Sequence, residues 1–128
     1  IAPAAIDQDV IEEAERIARV IAEAVSLSGA LGVEMCLTKT GGLYVNELAP
    51  RPHNSGHYSI EACSMSQFDA HIRGICGWPL GEKVRLTSNA VMVNVLGEQL
   101  LESYRLIENK PEWQFHFYGK KQAKNSII

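Results

Sequence analysis

The sequence predicts an α+β fold, and three observations carry the prediction. Apolar residues recur at three- and four-residue steps from Asp7 to Ser28, Gly41-Gly42 is flanked by two alternating runs, and the chain beyond Asn89 is rich in strand formers. The first stretch reads as an amphipathic helix. Ile6, Val10, Ala14, Ile17, Val20, Ile21, Ala24 and Val25 form its apolar side, and Glu12, Glu13, Arg16, Arg19 and Glu23 lie mostly opposite. Asp7 or Asp9 can cap its start, and Gly29 can end it. "ALGVEMCLTK" and "LYVNELAP" then form a hairpin around a tight Gly41-Gly42 turn. Met35, Leu37 and Leu48 are expected in the core. A second helix is predicted over Ser66 to Cys76, with Phe68, Ile72 and Ile75 inward and Gly77 and Pro79 stopping it. "NAVMVNVLG" predicts a strand buried on both faces, and "EWQFHFYG" a final strand, while Glu98 to Trp113 carries no readable period. A boundary between Gly77 and Arg85 divides residues 1–80 from a small β-rich domain at 81–128.

Composition narrows the function. Hydrophobic residues make up 46% of the 128 and charged residues 21%, enough apolar material for a core. A net charge of −3 argues against a nucleic-acid partner, which would need a basic face. No apolar run approaches the roughly 20 residues that span a bilayer. No basic segment followed by an apolar one opens the chain, so a cytoplasmic protein is expected. Cys36, Cys63 and Cys76 lack paired spacing, which fits reduced thiols. The chain begins "IAPAA" and stops at "NSII", which reads as a piece of something longer.

The densest chemistry lies in "VNELAPRPHNSGHYSIEAC", Val45 to Cys63. A two-residue turn at Gly41-Gly42 would set Cys36 opposite Glu47 and make Glu34 and Glu47 diagonal neighbours, roughly 7–8 Å apart, on one face. Two carboxylates so placed repel each other, and a divalent cation relieves the repulsion. Magnesium suits such a site, because it accepts a couple of carboxylates and completes its shell with phosphate oxygens and water. Arg51 falls on the same face if the strand continues past Pro50, and its guanidinium can fork an anionic oxygen. The plainer reading is a solvated face, with either glutamate in a surface pair with Lys39 or Arg51. A zinc site at His53 and His57 is disfavoured, because Pro52 and Gly56 break the helix that spacing would need. Against the plain reading stands the crowding of Glu47, Arg51, His53, Asn54, Ser55 and His57 into one Pro- and Gly-shaped loop.

"GVEMCLTKTGGLYVNELAPRPHNSGHYSIEACSMSQFDAHIRGICGWPLG", with "AVMVN" and "HFYGK" further on, resembles the C-terminal half of the N5-carboxyaminoimidazole ribonucleotide synthetase family. This family, the ATPase subunits of phosphoribosylaminoimidazole carboxylase, belongs to the ATP-grasp superfamily. The resemblance covers nearly the whole chain. It implies that residues 1–80 end an ATP-grasp domain, that Glu34 and Glu47 ligate Mg2+ bridging ATP phosphates, and that Asn46 lies beside the nucleotide. Arg51 and His53 would be catalytic, with Arg51 gripping bicarbonate or the carboxyphosphate made from it. Asn54, Ser55 and His57 would line the substrate pocket, and Lys120 would meet the substrate nucleotide's phosphate. The implied reaction carboxylates aminoimidazole ribonucleotide with bicarbonate at the expense of ATP. The implied enzyme is a homodimer with the N5-carboxyaminoimidazole ribonucleotide mutase as functional partner.

Two departures matter. Ala49 stands where the wider superfamily carries an asparagine in E-x-N-x-R, as is usual in this family, leaving two protein carboxylates for metal. Ile127 stands where the family has an arginine after Tyr-Gly-Lys. The glycine-rich loop and lysines that cover ATP have no counterpart here, so the chain alone is expected to be inactive. A formate-dependent glycinamide ribonucleotide transformylase type is the competing ligase, and a non-catalytic remnant or interaction domain the competing class.

Overall fold

The structure is a computed structural model, and it describes residues 1–97 and 99–119. Two compact units divide the chain, Ile1–Met92 and Val93–Ile128. The elements are helix α1 (Gln8–Ala24), strands β1 (Gly32–Leu37) and β2 (Leu43–Ala49), and helices α2 (Ser59–Ala62), α3 (Gln67–Ile75) and α4 (Gln99–Asn109). The α+β class predicted from sequence is the one observed.

Helix α1 forms where the apolar period places it. Val10, Ala14, Ile17 and Ile21 are half-buried on one side, with Ile11, Ala18 and Ala22 beside them, and the helix lies against β2. Val20 and Val25, expected inward, are more than half exposed. Asp7 occupies the N-cap without a side-chain cap bond, so extended backbone alone starts the helix. Its end differs from expectation. Ser26, not Gly29, is the left-handed residue that ends the helix, at φ 48°. The Ser26 N–H donates to Glu23 O at 3.0 Å and the Leu27 N–H to Ala22 O at 2.9 Å, a Schellman pair that satisfies two of the last carbonyls. A serine there carries a Cβ penalty that glycine avoids. Ser26→Gly is therefore expected to stabilise the chain by about 0.5–1 kcal/mol, read as a higher urea midpoint at unchanged slope.

Gly29, at φ 100°, serves a different purpose. A Cβ added at Gly74 would lie 2.9 Å from the Gly29 nitrogen, so only a pair of glycines lets α3 approach the start of β1 this closely. Two bonds fasten the contact. The Ala30 N–H donates to His71 Nδ1 at 3.0 Å, and Ser28 Oγ donates to Gly74 O at 3.2 Å.

The hairpin departs from the two-residue turn. Leu37 pairs with Leu43, the Thr38 N–H donates to Gly42 O, and the Gly41 N–H donates to Thr38 O. Lys39, Thr40 and Gly41 thus form the loop, with Gly41 left-handed at φ 85°. Thr38 Oγ1 tightens it by accepting the Gly42 N–H at 2.9 Å. The register then slips once more, between Glu34 and Met35: Met35 pairs with Val45 but Glu34 with Glu47, leaving Asn46 as the extra residue of a β-bulge. Cys36 accordingly faces Tyr44, not Glu47, and the two glutamates are direct rather than diagonal partners.

Ser66 caps α3, its Oγ accepting the Asp69 N–H at 3.1 Å. Within the first unit, the residues after α3 pair back through a bridge between Cys63 and Leu86 and another between Ala2 and Ala90. Among the described residues the buried positions are Ala2, Ala49, Ala62, Ser59 and Ser103. Leu37 and Leu48, expected in the core, are 46% exposed, as a two-stranded sheet offers little to bury them. Phe68, Ile72 and Ile75 are likewise partly exposed, and Cys36 is exposed.

The strands expected over "NAVMVNVLG" and "EWQFHFYG" are absent among the described residues, apart from the isolated bridge at Ala90. Alternation or apolar run shows that a segment can pair, but a strand exists only where a neighbour supplies the ladder. Val91 and Val93 are instead largely exposed. The unread stretch holds α4, whose central inward residue is Ser103, its Oγ donating to Leu100 O at 2.6 Å. Tyr104 of α4 stacks on Phe117 with ring centroids 4.6 Å apart, and Lys110, just past the helix, lies over the Trp113 ring.

Candidate active site

The bulge decides what the hairpin can present. With the register set at the turn, a regular ladder would carry Asn46 opposite Glu34 and throw Glu47 onto the other face. The extra residue returns Glu47 to the face of Glu34. Like charges directly opposite destabilise a sheet by up to about 1 kcal/mol, so this arrangement is not one that folding favours for its own sake.

The loop after β2 meets this pair. Ala49, the buried end of β2, accepts the Arg51 N–H at 2.8 Å and starts the turn. His53 then packs on Gly32, where an added Cβ would fall 2.7 Å from the histidine Cβ. Its ring, 13% exposed, brings Nε2 to 3.6 Å from Glu34 Oε1 and 3.9 Å from Glu47 Oε1. The other ring nitrogen fixes the tautomer. Nδ1 accepts the Ser55 N–H at 3.3 Å and faces Ser55 Oγ at 2.8 Å, so in the neutral ring the proton sits on Nε2, the nitrogen nearer the carboxylates. Glu34 and Glu47 are 40% and 51% exposed, open enough to accept a ligand from solvent.

The remaining expected residues fall around this centre unevenly. Asn46 is exposed at the bulge. Asn54 and Ser55 are exposed on a 3-10 turn, Asn54–Gly56, that His53 caps. Arg51 is exposed, and its Nη1 donates to Pro52 O at 3.1 Å. Among the described residues Arg51 makes no ion pair with either glutamate, nor does Lys39, so the surface-pair reading is replaced by the contacts to His53. His57 is half-buried beside Phe68, with ring centroids 5.3 Å apart. Lys120 lies outside the described residues.

Sequence reasoning missed Gln67. Its side-chain amide reaches back from the first turn of α3 to the main chain of His53 on both sides and to the His57 ring. A polar residue directly after a serine cap was its one visible signal. Nearby, burial pushes the Tyr58 hydroxyl above its ordinary value, with Cys63 a second cause, and burial raises the Cys63 thiol too. Neither group is thereby prepared for nucleophilic chemistry at neutral pH. A shallow cavity of about 280 Å³ lined by Asp9, Val10, Glu13, Gly41 and Leu43 lies at the turn end of the hairpin, away from the glutamates.

Among the described residues no cluster of three or more His, Cys, Asp or Glu side chains is built to hold a metal. Two convergent carboxylates fit a hard cation that draws its other ligands from substrate and water. No helix of the described residues is long and apolar enough to cross a membrane.

The chain is similar to known proteins along nearly its whole length. The ATP-grasp domain family matches residues 1–68, and the phosphoribosylaminoimidazole carboxylase C-terminal domain matches residues 90–126. The N5-carboxyaminoimidazole ribonucleotide synthase of Staphylococcus aureus is 46% identical over 98% of this chain and 33% of its own length. The Bacillus subtilis synthase is 44% identical over 97% of this chain and 32% of its own. A crystal structure of the Staphylococcus aureus synthetase superposes with a TM-score of 0.90 at 44% identity, over 98% of this chain and 34% of that one. The Aspergillus clavatus synthase, in complex with ADP and 5-aminoimidazole ribonucleotide, superposes at 0.77 with 33% identity, over 96% of this chain and 35% of that one. The chain therefore spans about a third of the length of the curated relatives it matches. With the domain match running over more than half of its residues, the chain belongs to the ATP-grasp family.

Proposed function

We propose that this chain is part of a ligase that carboxylates 5-aminoimidazole ribonucleotide with bicarbonate, using ATP and Mg2+, to give N5-carboxyaminoimidazole ribonucleotide for purine biosynthesis. The observation that carries the reading is the pair of opposed carboxylates, Glu34 and Glu47, held on one face by a bulge, each with an oxygen within 3.9 Å of His53 Nε2. Support also comes from the synthases that resemble the chain along nearly its whole length.

In this reading a bicarbonate oxygen attacks the γ-phosphorus, the bond to ADP breaks, and carboxyphosphate forms. The nucleotide's amine then attacks the carboxyl carbon, phosphate leaves, and the amine loses a proton. Glu34 and Glu47 would hold Mg2+, which when bound would neutralise charge on the phosphates. Asn46, raised by the bulge, contacts the nucleotide end. Arg51 turns from the Pro52 carbonyl to fork the bicarbonate or carboxyphosphate oxygens, a contact that strengthens as charge develops. His53 offers its Nε2–H at the same centre. Asn54, Ser55 and His57 position the aminoimidazole nucleotide, and Lys120 meets its phosphate. The full-length enzyme is a cytoplasmic homodimer that hands its product to a mutase.

ATP hydrolysis by the full-length enzyme, with bicarbonate and with or without aminoimidazole ribonucleotide, tests this. Stimulation by the nucleotide is expected. Stimulation instead by glycinamide ribonucleotide and formate would assign the chain to the transformylase type.

A further inference from the structure

The loop that carries the histidines is fastened from α3, through one side chain. Gln67 Oε1 accepts the His53 N–H at 2.9 Å, and Gln67 Nε2 donates to His53 O at 2.8 Å and faces His57 Nδ1 at 2.6 Å. Its main-chain N–H donates to Ser59 Oγ at 2.9 Å, and that hydroxyl donates to Gly56 O at 2.6 Å. A glutamine amide has two N–H donors and one carbonyl, and both donors and the carbonyl are engaged here. Its orientation is not free. Turning the amide over would set an N–H against the His53 N–H and an oxygen against the His53 carbonyl.

That orientation dictates the state of His57. A ring nitrogen facing an amide N–H must present a lone pair, so the neutral imidazole carries its proton on Nε2. The backbone has been cleared to permit this. A Cβ at Gly56 would lie 2.7 Å from Gln67 Oε1. His53 reaches the same tautomer by a separate route, through Ser55.

We propose that Gln67 is a positioning residue of the carboxylation site: it clamps the main chain at His53 and holds His57 as the Nε2–H tautomer. Both loop histidines then present N–H donors, the form that suits an anionic carboxyl oxygen, rather than lone pairs. What those donors meet rests on the ligase reading; the tautomer does not.

The test uses full-length enzyme labelled with 15N-histidine. In wild type, His57 is expected to show a protonated Nε2 and an unprotonated Nδ1. Gln67→Glu keeps the acceptor for the His53 N–H but removes both donors, so His57 Nδ1 is expected to move to the protonated range. Gly56→Ala, which pushes the amide aside without altering Gln67, is expected to erode the same tautomer. In Gln67→Glu, kcat for nucleotide-stimulated ATP hydrolysis is expected to fall about tenfold or more, with KM for ATP unchanged. An Nδ1 that stays unprotonated in both variants would overturn the assignment. A shifted tautomer with unchanged kcat would overturn the role in the reaction. If wild type shows no nucleotide-stimulated hydrolysis, the ligase reading and that role fall together, while the 15N comparison still decides what holds His57.

Discussion

Replacing Glu47 by glutamine in the full-length enzyme is expected to reduce nucleotide-stimulated ATP hydrolysis roughly 100-fold or more, on the scale of losing one preorganised group from a charge-stabilising site. Glutamine keeps the shape and the bulged register but removes half of the protein charge available to a cation. The folded state should not suffer. Glu47 is 51% exposed and lies directly opposite Glu34, so removing its charge relieves a repulsion. Thermal unfolding is expected at an unchanged or slightly higher temperature, while activity collapses. That opposition of effects is what a site built for a ligand produces, since structure there is strained for function. Glu34→Gln should behave alike, and the double variant should lose little beyond either single one, because residues acting as a unit do not add. If Glu47→Gln instead lowered stability and left hydrolysis intact, the pair would be structural.

Gly32→Ala is expected to cost about 1–3 kcal/mol of stability and to disable the site at the same time. The new methyl would fall 2.7 Å from His53 Cβ and 3.0 Å from Cγ. A flexible side-chain end could swing away, but a Cβ cannot move without its backbone. At His53 that backbone is pinned on both sides by Gln67. The clash must therefore shift either β1 or the loop, and with it the His53 ring that lies near both carboxylates. His53→Gly removes the obstructing atom. In that background Gly32→Ala should cost markedly less, a coupling of about 0.5–3 kcal/mol in urea unfolding. Equal costs in both backgrounds would show that the contact is relieved some other way.

How much of this was legible depended on where each determinant lies. The three- and four-residue spacing from Val10 to Ile21 declares α1, but nothing marks Ser26 as the left-handed residue that ends it. Gly41-Gly42 announces a hairpin, yet Thr38 sets the loop through its side chain, and no residue type in Val45-Asn46-Glu47 advertises a bulge. The shared face of the two glutamates is legible, because the longer loop and the bulge together shift the expected register by an even number. Their direct opposition is not. Helix α4 escaped notice because its buried centre is Ser103, which blurs the apolar period. The segments at 89–97 and 112–119 had the composition of strands, and composition carries no information about a neighbour. Gln67 was invisible for a related reason: its meaning is a set of contacts made 10 and 14 residues away.

As proposed, this constellation serves phosphoryl transfer from ATP to bicarbonate. The most direct measurement supplies the full-length enzyme with ATP, Mg2+, aminoimidazole ribonucleotide and 18O-labelled bicarbonate, and weighs the phosphate released. Transfer through carboxyphosphate leaves a bicarbonate oxygen on that phosphate, so label in the phosphate, appearing together with carboxylated nucleotide, is the predicted result. Unlabelled phosphate formed alongside the carboxylated nucleotide would contradict it.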